Sequence, residues 1–135
     1  MKNVFILITL SIILTGCEDD NFVPENEIPE LIGEWKLIQV YNDPGDGSGD
    51  FVDVFQGKTV TFFEDSTLIS NGSLCNNSST FNEDSSGTYD PGDMIIFPDS
   101  CVVQPPLGHS YELGRNLIIS YPCDEPCQAK YEKLE

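Results

Sequence analysis

Few residues of this 135-residue chain could do chemistry, and most of them are cysteines and carboxylates. Cys75, Cys101, Cys123 and Cys127 are spaced C-x25-C-x21-C-x3-C, and a fifth cysteine, Cys17, stands near the start. A zinc ribbon needs two closely spaced thiolate pairs; this series has one, so it fits a metal site poorly. His109 is the sole histidine, and no G-x-S-x-G segment offers it a nucleophile. No carboxylate pair sits in an apolar stretch that would drive the two pKa values apart for acid–base work. The chain therefore reads as non-enzymatic and free of cofactors. The loop Asn42–Asp50, NDPGDGSGD, carries the best candidate metal site. Asp46, Ser48 and Asp50 alternate as the first three oxygen ligands of a calcium loop do. The match then ends, because Phe51 stands where the loop needs glycine and Gly57 where it needs a bidentate glutamate. Asp46, Ser48 and Asp50 thus form a weak calcium candidate in what reads as a conformational Gly/Asp loop.

The fate of the cysteines depends on the leader. Lys2 precedes an apolar run, Val4–Leu14, and small residues follow. A membrane-spanning helix needs about 20 apolar residues, and this run is too short; its pattern is that of a secretory signal peptide. Leu14-Thr15-Gly16-Cys17 resembles the lipobox of bacterial lipoproteins. The resemblance implies cleavage after residue 16, diacylglycerol and a further acyl chain such as palmitate on Cys17, and membrane attachment through that lipid. Each buried CH₂ contributes about 0.8 kcal/mol, so two or three chains hold firmly. Glu18-Asp19-Asp20 resembles the acidic export signal of one large Gram-negative group, which implies an outer-membrane protein facing the cell surface.

Loss of residues 1–16 leaves 5 basic and 23 acidic residues, so a chain already at −17 becomes more acidic still. That field repels nucleic acid and anionic lipid surfaces and excludes both as partners. Residues 17–30 form a lipidated acidic tether, rich in Glu and Asp with Pro24 and Pro29. Residues 31–135 make one small domain, whose core alone gives modest net stability. Four cysteines in an exported domain of this size read as two disulfides with three connectivities open. The favoured pairing is Cys123–Cys127, closing a tight turn, with Cys75–Cys101.

These residues must be positioned by strands, because no segment keeps apolar residues at helical spacing for three turns. Period-two alternation and turn residues predict strands over Glu34–Tyr41, Phe51–Phe55, Lys58–Phe63, Thr67–Ser70, Gly87–Tyr89, Met94–Phe97, Ser110–Leu113, Leu117–Tyr121 and Gln128–Leu134. Asp90-Pro91-Gly92-Asp93 predicts a type II turn, with glycine accepting positive φ. Eight or nine short strands on hairpin-length links imply an all-β, antiparallel, up-and-down barrel or sandwich.

Leu31-Ile32-Gly33-Glu34-Trp35-Lys36-Leu37 has the Gly-x-Trp opening of lipocalins. Together with the Asn42–Gly49 loop and the Ile119–Tyr131 run, it resembles small lipocalin-like lipoproteins of the same Gram-negative group. The likeness spans nearly all of residues 31–135 and implies a small lipocalin-like barrel of 8–9 strands. The chain departs from full lipocalins in two ways. It has no room for their C-terminal helix, and its last strand offers Lys130 and Lys133 where they carry an arginine over the tryptophan. Trp35 is accordingly expected as a core plug at the closed end.

Two functions follow from this reading. In the first, the barrel binds a small or apolar ligand in a cavity lined by Trp35, Val60, Phe62, Ile96, Ile119 and Tyr131. In the second, side chains fill the barrel, and loops 42–50, 71–86 and 98–108 contact an envelope protein or an external factor.

Overall fold

The computed structural model describes residues 29–101 and 108–135; the leader 1–16, Cys17, most of the tether and Pro105-Pro106 lie outside the described residues. Nine strands follow one another: β1 (Gly33–Asn42), β2 (Asp50–Asp53), β3 (Thr59–Phe62), β4 (Thr67–Ser70), β5 (Ser85–Asp90), β6 (Ile95–Pro98), β7 (His109–Leu113), β8 (Leu117–Tyr121) and β9 (Cys127–Lys133). Among the described residues there is no helix. All strand pairings are antiparallel, and β1 pairs with β9 to close the sheet into a barrel. The expected all-β barrel is therefore the fold.

β1 explains how nine strands make an eight-stranded closure. It is ten residues long, and β2 and β3 lie on the same edge of it. Its first half, Gly33–Lys36, pairs with β3, and its second half, Gln39–Asn42, pairs with β2. Between them Leu37 N–H donates to the Lys58 carbonyl, and Val54 N–H to the Ile38 carbonyl, at 2.9 Å each. A bulge between Leu37 and Gln39 in the β1–β9 register marks the same level. β2 is thus an extra strand on the flank, and the remaining eight close. An even number of up-and-down strands brings the first and last together antiparallel, which leaves the barrel wall without a free edge.

Alternation decides what fills the interior. Trp35, Leu37, Val60, Phe62, Leu68, Tyr89, Ile96, Tyr111, Leu117, Ile119, Ala129 and Tyr131 point inward and belong to one buried cluster. Their outward neighbours are half-buried or exposed, as in the B-i-B-i-B pattern of β8. Tight turns at 63–66, 91–94 and 114–116 gather at one end, and the longer connections at 43–49, 71–84 and 122–126 gather at the other, where β6 ends and β7 begins.

The tight-turn end is closed by aromatics. Phe62 meets Tyr89 edge-on with centroids 5.1 Å apart and lies 6.2 Å from Tyr111. Trp35 is fully buried, and its indole N–H donates to the Leu31 carbonyl at 2.8 Å. Lys133 supplies the cation over Trp35, with Nζ 5.0 Å from the ring, and also donates to the carbonyls of Glu30 and Ile32. A cation within about 6 Å of an indole face is stabilising, so Lys133 ties the last strand to Trp35.

One turn differs from expectation. Gly92 does not take positive φ; Met94 does, at 54°. The Asp90 carboxylate accepts the amides of Gly92 and Asp93 at 2.8 and 3.1 Å. That side-chain turn organises a four-residue loop between the paired residues Asp90 and Ile95, so the type II geometry is replaced.

Candidate functional site

The long-connection end holds most of the structure's special chemistry. Lys58 directly precedes β3, on the face of Val60 and Phe62, and alternation turns it inward. It is fully buried. Its ammonium donates to the carbonyls of Ser73, Ser78 and Asn76 at 2.7, 3.0 and 3.3 Å. Burial pulls its pKa down to about 8. The three carbonyls act in the opposite sense, because they favour the charged form.

Those carbonyls belong to loop 71–84, which folds across the barrel end as a lid. Leu74, on the lid, is 1% exposed and joins the barrel core. Asn71 takes the place of a strand residue beside β3, accepting Thr59 N–H at 2.8 Å and donating to the Gly57 carbonyl at 2.9 Å. Asn77 donates to the Tyr41 carbonyl and the Asn42 side chain at 3.1 and 2.8 Å. Gly72 is required here, since a Cβ at that position would overlap the Thr80 carbonyl. The Cys75–Cys101 disulfide then joins the lid to the 99–108 connection, and Cys123–Cys127 closes the turn into β9. The favoured cysteine pairing is the one observed.

Beneath the lid lies a small polar set. His109 begins β7 and is 2% exposed, and neither of its ring nitrogens has a hydrogen-bond partner among the described residues. Burial lowers its pKa, and the nearby Leu74 main chain, not aligned as a hydrogen bond, offsets this in part. The Tyr121 ring lies 5.1 Å from the imidazole and 5.8 Å from the Lys58 ammonium. Its hydroxyl shares a 3.1 Å hydrogen bond with that of Tyr131. Burial pushes the Tyr121 phenol up to about 12 and raises Tyr131 as well.

The six side chains expected to line a cavity, Trp35, Val60, Phe62, Ile96, Ile119 and Tyr131, are each no more than 1% exposed and lie in the one core cluster. A recess of about 480 Å³ lies on the outer face of the barrel, around Thr59, Thr61 and Ile69.

In loop 43–49 the organising residue is Asp43, which was not among the candidates. Its carboxylate accepts the amides of Gly45 and Gly47 at 2.7 and 3.1 Å and the Tyr41 hydroxyl at 3.1 Å. The Gly45 amide is the main cause of its lowered pKa. Gly45 and Gly47 supply the positive φ that this wrap requires. Asp46 and Asp50 each turn one oxygen to a loop amide, of Ser48 at 3.0 Å and Phe51 at 2.7 Å. Among the described residues no group of three His, Cys, Asp or Glu side chains could hold a metal ion.

A lysine opening an alternating strand is the signal that would have located Lys58 from sequence. Nothing local marks Leu74, Asn77 or the isolation of His109. Compared with protein-family models, curated proteins and solved structures, the chain matches none.

Proposed function

We propose that this chain is a lipid-anchored envelope protein whose filled barrel is a rigid scaffold, presenting the loops of its long-connection end to another envelope protein or an external factor. One observation carries the reading: the interior-facing residues and the lid residue Leu74 form a single buried cluster under a lid bound by Lys58 and a disulfide. Such a scaffold holds its loops in place without a ligand. The anchor rests on Leu14-Thr15-Gly16-Cys17, and surface display on the acids that follow. Kinship with lipocalin-like lipoproteins is part of the same proposal, supported by Gly33-Glu34-Trp35 and by the cation over Trp35. The test is titration of the oxidised full chain in detergent with an apolar fluorescent probe. No saturable binding is expected, while replacement of loop 42–50 should abolish capture of a cross-linked envelope partner. Saturable probe binding at one site per chain would refute the filled scaffold. Metabolic labelling with an alkyne fatty acid should mark the protein and be lost in Cys17→Ser.

A second reading, an interior ligand, is favoured by His109, whose two buried nitrogens lack partners among the described residues. Buried polar groups are normally satisfied, and a polar ligand head would satisfy these. Under this reading the same titration saturates, and His109→Phe weakens it.

A further inference from the structure

The lid leaves β4 through a hinge of two residues, Asn71 and Gly72, and packing dictates both of them. The Asn71 carboxamide works in two directions: its oxygen accepts Thr59 N–H at 2.8 Å and its nitrogen donates to the Gly57 carbonyl at 2.9 Å. An ionised carboxylate of the same shape could only accept. Gly72 has no room for a side chain, because a Cβ there would overlap the Thr80 carbonyl and press on the Lys58 stem. The fold therefore requires Asn followed by Gly, and this is the only Asn-Gly pair in the 135-residue sequence.

Asn-Gly is also the pair whose backbone reacts most readily with its own side chain. With no side chain on the second residue, its amide nitrogen reaches the asparagine Cγ unhindered. Hydroxide takes the Gly72 N–H proton, a bond forms from Gly72 N to Asn71 Cγ, and the Cγ–Nδ2 bond breaks. The departing nitrogen takes a proton from water and leaves as ammonia. Water then opens the five-membered imide to aspartate or to isoaspartate, whose main chain is longer by one methylene. In the closed lid every reacting group is held. Gly72 N–H donates to the Ser70 hydroxyl at 3.1 Å, and the Gly72 carbonyl accepts the Ser85 hydroxyl at 2.6 Å. Ring closure must break the hold on Gly72 and turn the Asn71 carboxamide away from Thr59 and Gly57. Such a local opening costs less than global unfolding. Reclosing cannot restore the hinge after conversion: a carboxylate at position 71 loses the bond to the Gly57 carbonyl and sets a negative charge against it.

We infer that Asn71-Gly72 is a guarded deamidation site, protected while the lid is shut and converted when its hinge opens, so that each conversion loosens the lid irreversibly. The inference needs only the lid and holds under either the scaffold or the ligand reading. The test incubates the oxidised full chain in detergent at mildly alkaline pH, folded and in urea, and reads aspartate and isoaspartate at each asparagine by peptide mass spectrometry. In urea Asn71 should convert ahead of Asn76, Asn77 and Asn116. Folding should slow Asn71 at least ~10-fold, because conversion then waits for an opening. Cys75→Ala with Cys101→Ala unties the lid and should speed conversion in the folded chain at least ~3-fold. Asn116, on a tight turn at the other end, should keep its rate, which separates lid opening from general loosening. If that double variant unfolds, Ser70→Ala takes its place, since it frees the Gly72 amide. The converted chain, and Asn71→Asp made directly, should exchange amide hydrogens across 71–84 faster than the parent. Equal Asn71 rates in the folded and unfolded chains overturn the inference. So does an untied lid that converts no faster, or a converted chain whose lid exchange is unchanged.

Discussion

Removing the Cys75–Cys101 bond, as Cys75→Ala with Cys101→Ala, should destabilise the domain by a calculable amount. The two positions are 26 residues apart in sequence and their Cα atoms lie 5.4 Å apart. Cross-linking such a loop restricts the unfolded chain, and the chain-entropy relation assigns about 3.5 kcal/mol to a loop of this size. Domains of this class have about 5–15 kcal/mol in total, so the loss is a large fraction. For about 100 residues, each kcal/mol moves Tm by at least about 4 °C, which implies a fall of about 14 °C. The folded state should keep its architecture, because Leu74 remains in the core and Lys58 still holds three lid carbonyls. The measurement is equilibrium urea unfolding under non-reducing conditions, compared at equal m. A matched double variant at Cys123 and Cys127, only 4 residues apart, should lose about 2 kcal/mol by the same relation. A loss below about 1 kcal/mol for the Cys75–Cys101 variant would refute the loop-closure account. So would an equal loss for the two pairs.

Other outcomes follow from the buried polar groups. Lys58→Met removes the donor from three lid carbonyls, each a charge-assisted bond of about 1.5–3 kcal/mol, and ends the burial of a charge, which costs several kcal/mol; a net loss of about 2 kcal/mol is expected, with hydrogen exchange in 71–84 accelerated more than in β8. His109 has a folded pKa below its ordinary 6.5, so as pH falls through about 6.5 the unfolded chain takes up the proton first and stability declines until the folded pKa is reached. His109→Leu should flatten the stability profile between about pH 7 and the carboxylate range, measured by urea midpoints, and an unchanged slope would sink the assignment. Lys133→Ala removes the cation over Trp35, at a cost of about 0.5–2 kcal/mol. Since Trp35 is the sole tryptophan, a change in its fluorescence should report the loss directly.

The strands were legible because alternation is a local property. A row such as Leu117, Ile119 and Tyr121 can bury one face only as an extended segment. The disulfide pairing was legible because four cysteines in so small a domain admit few solutions. The type II turn failed because the Asp90 carboxylate competes for the backbone amides that define the turn. β2 and β3 read as successive members of a meander, yet both pair with β1, because a strand of ten residues can hold two short partners end to end.

The sequence by itself determined the class of fold and the alternation of its strands, and favoured one of three cysteine pairings, since each rests on spacing along the chain. Tertiary structure alone decided which end is sealed and by what. Leu74 enters the core from a polar loop, Lys58 finds carbonyls 15 to 20 residues further along the chain, Lys133 reaches Trp35 only when β9 closes on β1, and His109 is buried beneath the lid with no hydrogen-bond partner among the described residues. The physical reason is common to all four. Burial and hydrogen-bond partnership depend on which distant segments the closed barrel brings together, and no local pattern carries that information.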